Sequence, residues 1–192
     1  MNGSGASLPR ILVTMTCATY APCCLATGAS LGTGLSNTTA ASIEYAARNY
    51  AGSIPPARQA LALNPPMSRV NAAIGDALLM LGRLEEARAA YAAEAIADFR
   101  LAGAAIVEHR MGDEAVARSA MSELVTSLGD RVLYQQAEIL AQWGQRDEAL
   151  ARPERARQIG DLGLIYARND PMLDPWRGDP RYSRLLESIG FD

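Results

Sequence analysis

A glycine that separates two helical patterns recurs along the chain at Gly82, Gly112 and Gly144, at intervals of 30 and 32 residues. In the clearest copy, residues 69–91, apolar and small side chains follow a helical spacing both before and after Gly82. The pattern predicts a helix, a tight turn and an antiparallel helix. Because one such pair cannot bury its apolar face alone, successive pairs are expected to stack on one another. The sequence therefore predicts an all-α fold.

Small residues recur at fixed distances from these turns. An alanine follows each turn glycine by five residues (Ala87, Ala117 and Ala149), and a small residue precedes it by seven (Gly75, Ala105 and Ala137). Side chains of this size let two helices cross closely. Arg48 occupies the turn position 34 residues before Gly82, so the pattern extends toward the N-terminus. The predicted repeats cover residues 42–66, 67–97, 98–130 and 131–161.

The tail, residues 162–192, predicts a separate helix that caps the last repeat. Asp179 is a favourable N-cap residue, and Pro180 fits the first helical position. Gly190 is expected to end this helix. Terminal repeats need a cap, so Trp176 is expected to pack the tail onto the repeat before it.

Residues 1–41 form a segment of different composition. Arg10 is the only charged side chain before Glu44, and Cys17, Cys23 and Cys24 fit no paired disulfide framework. A disordered leader is the favoured interpretation; a signal peptide over residues 1–29 is the alternative. A membrane span is disfavoured because hydroxyl side chains and Pro22 interrupt the apolar run. We therefore expect a cytoplasmic protein without a stable membrane span, or a periplasmic or secreted one if residues 1–29 are a signal peptide.

The charged residues exclude several kinds of site. All 18 basic residues are arginine, His109 is the only histidine, and the net charge is −3. Without lysine, no P-loop lysine or Schiff-base lysine can form, and a mildly acidic chain lacks the basic footprint of a nucleic-acid-binding protein. The spacing of His109, the cysteines and the carboxylates does not support a zinc site. We expect no metal, no cofactor and no direct nucleic-acid contact.

The repeated segment, about residues 42–161, resembles tetratricopeptide (TPR) repeats. The unit from Ser68 to Asp98 fits best, through Gly75, Leu78, Gly82, Ala87 and Tyr91. The later units are degenerate, since Met121 and Pro153 stand where Tyr91 stands. The tail is similar to the C-terminal end of many bacterial multidomain proteins with such arrays. The resemblance implies a right-handed solenoid of about three and a half helical hairpins, which serves protein–protein interaction without catalysis.

In this family, ligands usually lie against the first helix of each hairpin, on the concave face. The resemblance places seven residues near that face: Arg69, Asp76, Phe99, His109, Arg131, Tyr134 and Glu138. Ala72, Asp76 and Leu79 stand where some family members clamp a C-terminal carboxylate, which disfavours that kind of ligand. We therefore expect a scaffold that binds a segment of a partner protein or peptide, and homodimerisation is left open.

Three other functions are compatible with the same sequence. The chain could be the regulatory C-terminal region of a bacterial transcription regulator, nucleotide cyclase or kinase, or an exported envelope protein. An enzyme is the least favoured. The adjacent acids of the pairs beginning at Glu85, Asp113 and Asp147 recur at the start of each second helix, where they compensate the helix dipole. His109 has no nucleophile motif nearby, so a partly exposed helical histidine is favoured over a general base.

Overall fold

The computed structural model describes residues 25–191, with side chains described from Leu35 onward. The described residues form nine α-helices and three short 3-10 segments, which confirms the predicted all-α class. The helices are α1 (Leu25–Ala46), α2 (Tyr50–Leu63), α3 (Val70–Met80), α4 (Leu84–Ala92), α5 (Ala97–Met111), α6 (Glu114–Leu128), α7 (Leu133–Gln142), α8 (Arg146–Ile159) and α9 (Pro180–Ser188). The 3-10 segments are Gly129–Val132, Leu162–Tyr166 and Pro171–Trp176.

The helices pack in consecutive pairs: α1 with α2, α3 with α4, α5 with α6, and α7 with α8. We call α1, α3, α5 and α7 the first helices of these pairs. Each first helix also contacts the first helix of the next pair, so the four lie along one side of the molecule. The pairing agrees with the helical repeat that the glycine spacing predicts.

The turns within the pairs show why the repeat pattern takes this form. Gly82, Gly112 and Gly144 have φ angles of 73°, 90° and 74°, in the left-handed region that glycine enters without steric cost. Arg48 has the same left-handed backbone, with φ 63°, at the turn between α1 and α2. The alanines that follow these glycines by five residues are fully buried, as close helix crossing requires. The repeat in the sequence therefore reflects the regular spacing of the turns and of the points where two helices cross.

Helix α1 includes residues on both sides of residue 42, the predicted start of the repeats. Helix α1 spans Leu25–Ala46, so the described part of the segment assigned as a leader, residues 25–41, is helical. This stretch has little helical periodicity of its own, and α1 packs against α2, with Ala41 buried. Residues 1–24 lie outside the described part of the chain, and with them the three cysteines and most of the segment considered as a signal peptide. None of the described helices is both long enough and apolar enough to span a bilayer.

The tail forms the predicted helix and also an unpredicted crossing. Asp179 caps α9 by accepting a hydrogen bond from the Arg181 amide, and Trp176 is 1% exposed in the core beside α7 and α8. Residues 161–179, which we call the strap, run from the end of α8 back to the turn between α1 and α2. There Arg48 pairs with Asp174 at 2.6 Å and donates a hydrogen bond to the carbonyl of Asn169 at 3.1 Å. The strap thus joins the last helix pair to the first.

Candidate functional site

A cavity of about 330 Å³ lies between the first helices and the strap. Residues of α1, α2, α3, α5, α7 and the strap line it, and much of its wall is small or apolar, with Ala57, Ala102 and Ile106 buried behind it. Exposed lining residues, including Ser42, Ala73 and Asn169, mark the opening to solvent. Its size is at the lower end of the range for small-molecule sites. It can hold one side chain or one small ligand.

Helix α3 places a carboxyl group, Asp76, in this cavity. The Tyr91 hydroxyl donates a hydrogen bond to Asp76 Oδ1 at 2.8 Å. Burial raises the pKa of Asp76 to about 7; the hydrogen bond from Tyr91 lowers it and the negative charge of Asp170 raises it. Asp76 can therefore exchange a proton near neutral pH.

A second acidic group, Glu138 of α7, lies beside Asp170 of the strap. Burial is the main reason why the pKa of Glu138 is well above its usual value; the negative charge of Asp170 and a hydrogen bond between the two side chains raise it further. Asp170 is held in place by the Tyr134 hydroxyl, which donates at 2.6 Å, and by the Met172 amide, which donates at 2.8 Å. The cavity thus contains three carboxyl groups that come from three separate elements.

A third tyrosine, Tyr45 of α1, has its hydroxyl buried at the cavity without a hydrogen-bond partner among the described residues. The pKa of this hydroxyl is raised well above its usual value, first by burial and then by the negative charges of Asp76 and Asp170. The hydroxyl therefore lies in the same electrostatic environment as the carboxyl groups. A buried polar group without a partner costs free energy unless a water molecule or a ligand satisfies it.

Arg69 stands at the mouth of the cavity, just before α3. Its guanidinium lies 4.3 Å from the centroid of the Phe99 ring and 5.5 Å from that of Tyr166, distances typical of cation–π contacts. Its backbone is left-handed, with φ 66°, and the buried Glu94 carboxylate accepts hydrogen bonds from the amides of Arg69 at 3.3 Å and Ala72 at 3.1 Å. Glu94 therefore fixes the backbone that carries Arg69.

Glycines make room for the aromatic rings that support the acids. A Cβ atom on Gly103 would lie 2.0 Å from the Tyr91 ring, and one on Gly75 would lie 2.6 Å from it. A Cβ atom on Gly163 would lie 2.6 Å from Tyr134. These three positions exclude larger residues because the rings that orient Asp76 and Asp170 occupy the space.

Five of the seven residues predicted near the ligand face line the cavity: Arg69, Asp76, Phe99, Tyr134 and Glu138. The other two lie elsewhere. His109 Nδ1 is 2.5 Å from Glu114 Oε1, and its ring contacts Trp143 at 5.6 Å between centroids. Arg131 is exposed on the turn before α7 and donates hydrogen bonds to the carbonyls of Ser127 and Leu128. Both residues make local contacts between neighbouring helices.

Sequence reasoning missed the residues that come from outside the repeat pattern. Tyr45 precedes the first recognised turn, and Asp170 and Tyr166 belong to the strap, whose path no periodicity encodes. The only available signal was the set of Asp-Pro pairs in the tail, which mark chain turns without indicating where they pack.

The described residues contain no group of three or more His, Cys, Asp or Glu side chains arranged to hold a metal ion.

No protein-family model matches the chain, and comparison with curated proteins and with solved structures gives no significant match.

Proposed function

We propose that this protein is a non-catalytic binding module of the TPR type, whose first helices receive a protruding residue of a partner protein. The observation that carries the proposal is the solvent-accessible cavity, because residues from all four first helices converge on it. Its volume of about 330 Å³ suits one side chain and excludes a helix or several residues. The strap, which crosses the first helices, limits the ligand to this size.

The chemistry of the cavity favours binding over catalysis. Asp76 and Asp170 each accept a hydrogen bond from a tyrosine hydroxyl, which fixes them as oriented acceptors. The Ser53 hydroxyl, also in the lining, donates to the carbonyl of Tyr50 at 2.8 Å and so faces no general base. Groups held in this way recognise a ligand through hydrogen bonds and charge.

A peptide selection with a blocked cavity tests this function. Peptides selected from a random displayed library against the wild-type protein would be measured for binding to Ala73→Trp, which places an indole at the exposed edge of the cavity. We expect affinity to fall at least about tenfold, because the entering side chain loses its site. Ala115→Trp, an exposed position on α6 outside the cavity lining, is the matched control and should leave affinity unchanged.

Two results contradict the proposal. One is that the selection yields no peptide that binds the folded protein. The other is that the selected peptides bind both tryptophan variants as tightly as wild type, which would place the partner surface away from the cavity. Circular dichroism spectra and melting curves of both variants establish that the comparison is between folded proteins.

A further inference from the structure

The carboxyl groups of the cavity form no ion pair with the arginines that the structure describes. Among the described residues, no ion pair within 4.0 Å involves Asp76, Glu138 or Asp170. Arg69, whose charge lowers the pKa values of Asp76 and Glu138 only in part, is stacked over Phe99 at the mouth of the cavity. Buried carboxyl groups without a counter-ion are costly, and a positively charged ligand would stabilise their ionised forms.

The unpartnered hydroxyl of Tyr45 is a second and independent sign of a ligand. Tyr91 and Tyr134 are also buried tyrosines beside the cavity acids, yet each of them donates its hydroxyl proton to a carboxylate of the cavity. The buried Tyr45 oxygen has no such partner in the described part of the chain. A hydroxyl can accept as well as donate, so it offers a lone pair to an entering N–H group.

We propose that the cavity binds a primary ammonium group, which the partner supplies as the side chain of a lysine. The proposal rests on the binding function proposed above and names the group that enters. An ammonium has three N–H donors in a tetrahedral arrangement. Asp76 on α3, Glu138 on α7 and Asp170 on the strap enter the lining from three elements, and each offers an acceptor to one of these donors. A planar guanidinium would pair best with one carboxylate through two parallel bonds.

The walls of the cavity suit the chain that carries the ammonium. Ala57, Ala102 and Ile106 are buried apolar residues of the lining, and they would contact the methylene groups of a lysine. Phe99 and Tyr166 stand at the mouth, where they already contact a cation, the guanidinium of Arg69. The sequence contains no lysine, so a second copy of this chain cannot supply such a side chain. The partner is therefore a different protein.

The test compares matched small ligands by calorimetry at pH 8. Nα-acetyl-lysine methylamide is the probe, and the norleucine analogue, which has the same alkyl chain without the ammonium, is its control. We expect the lysine compound to bind at least about tenfold more tightly, since the ammonium alone pairs with the carboxylates. The arginine analogue and n-pentylamine complete the series.

Three isosteric variants assign the binding to the proposed groups. Glu138→Gln and Asp76→Asn should each weaken binding of the lysine compound about tenfold, because each removes a carboxyl group that can ionise against the bound ammonium, without changing shape. Tyr45→Phe should weaken it about threefold, since only the hydroxyl is lost. Glu123→Gln, an exposed acid on α6, is the matched control and should have no effect. Melting curves establish that each variant is folded.

Each contrary outcome has a distinct meaning. Equal affinity for the lysine and norleucine compounds, or no binding of either at millimolar concentration, overturns the ammonium site. Tighter binding of the arginine analogue overturns the choice of ammonium, and tighter binding of n-pentylamine shows that the source is a free amine. Selected peptides that need the open cavity but contain no lysine would overturn this inference and leave the proposed function intact.

Discussion

Tyr91 connects the packing of the helices with the chemistry of the cavity. Its ring fills the space left by Gly75 and Gly103, and its hydroxyl donates to Asp76. The hydrogen bond compensates only part of the burial of that carboxyl, whose pKa rises to about 7. The cavity therefore holds an acid whose ionisation opposes folding. Binding sites commonly contain groups that destabilise the fold in this way.

Replacement of this acid should stabilise the protein at high pH. The folded state holds a proton on Asp76 up to about pH 7, whereas the usual pKa of an aspartate is 3.8. When the pH lies between these two values, unfolding therefore releases this proton. The contribution of Asp76 to stability therefore falls as pH rises from about 4 to 7. We expect Asp76→Asn to raise the free energy of unfolding at pH 8 by about 2 kcal/mol. This is less than the pKa difference alone would give, because solvent that enters the open cavity screens the charge.

Urea unfolding at pH 8 and pH 4.5 measures this effect. The gain should largely vanish at pH 4.5, where the wild-type carboxyl is already protonated. Part of the gain comes from relief of the repulsion by Asp170 and Glu94, and the loss of the attraction to Arg69 offsets some of it. A variant that is less stable than wild type at both pH values would show that the ionised carboxylate stabilises the fold.

At the scale of elements, the strap makes the difference between a row of helix pairs and an enclosed cavity. Its attachment to the first pair depends on Arg48, which occupies a turn position where the other pairs have glycine. A left-handed backbone costs a non-glycine residue about 1 kcal/mol. Arg48 is therefore at once an unfavourable turn residue and the anchor of the strap.

Two substitutions separate these roles. Arg48→Ala and Arg48→Gly both remove the pair with Asp174, and both should increase hydrogen exchange of the strap amides. Arg48→Gly also removes the backbone strain, so it should be more stable than Arg48→Ala by about 1 kcal/mol. Urea unfolding and hydrogen exchange with mass spectrometry measure the two effects. Unchanged strap exchange in both variants would show that the ion pair does not hold the strap.

At the scale of the whole molecule, the buried apolar residues that the structure describes form two clusters. The first cluster extends from α1 through α6 into α7, and the second contains α7, α8, α9 and most of the strap. Met172 of the strap belongs to the first cluster, whereas its neighbour Leu173 belongs to the second. The strap therefore couples both clusters, in contrast to an open array in which each repeat contacts only its neighbours.

This coupling predicts a single unfolding transition. In urea, the far-ultraviolet circular dichroism of all helices and the fluorescence of Trp143 and Trp176 should change together. Met172→Ala should lower the free energy of unfolding by about 2–4 kcal/mol, since Met172 is 3% exposed. Leu162→Ala is the matched control on the same strap, because Leu162 is 79% exposed and should contribute little. Separate transitions in the wild-type protein would contradict the coupling.

The sequence by itself determined the helical elements of this protein, because their causes are local. Turn glycines need a left-handed backbone, small residues must stand where helices cross, and Asp179 with Pro180 starts a helix. The resemblance to TPR repeats places seven residues near the concave face, and five of them line the cavity. These features recur, so one chain displays them several times.

The tertiary structure alone decided how the cavity is closed and which polar groups it contains. The strap carries no period, and its path depends on contacts between residues more than 100 positions apart, such as Arg48 with Asp174. The helical state of the described part of α1 likewise depends on packing against α2, since its own composition is a weak helix signal. Burial then sets the protonation of Asp76 and Glu138. Burial and long-range contacts are properties of the folded molecule, and no local pattern encodes them.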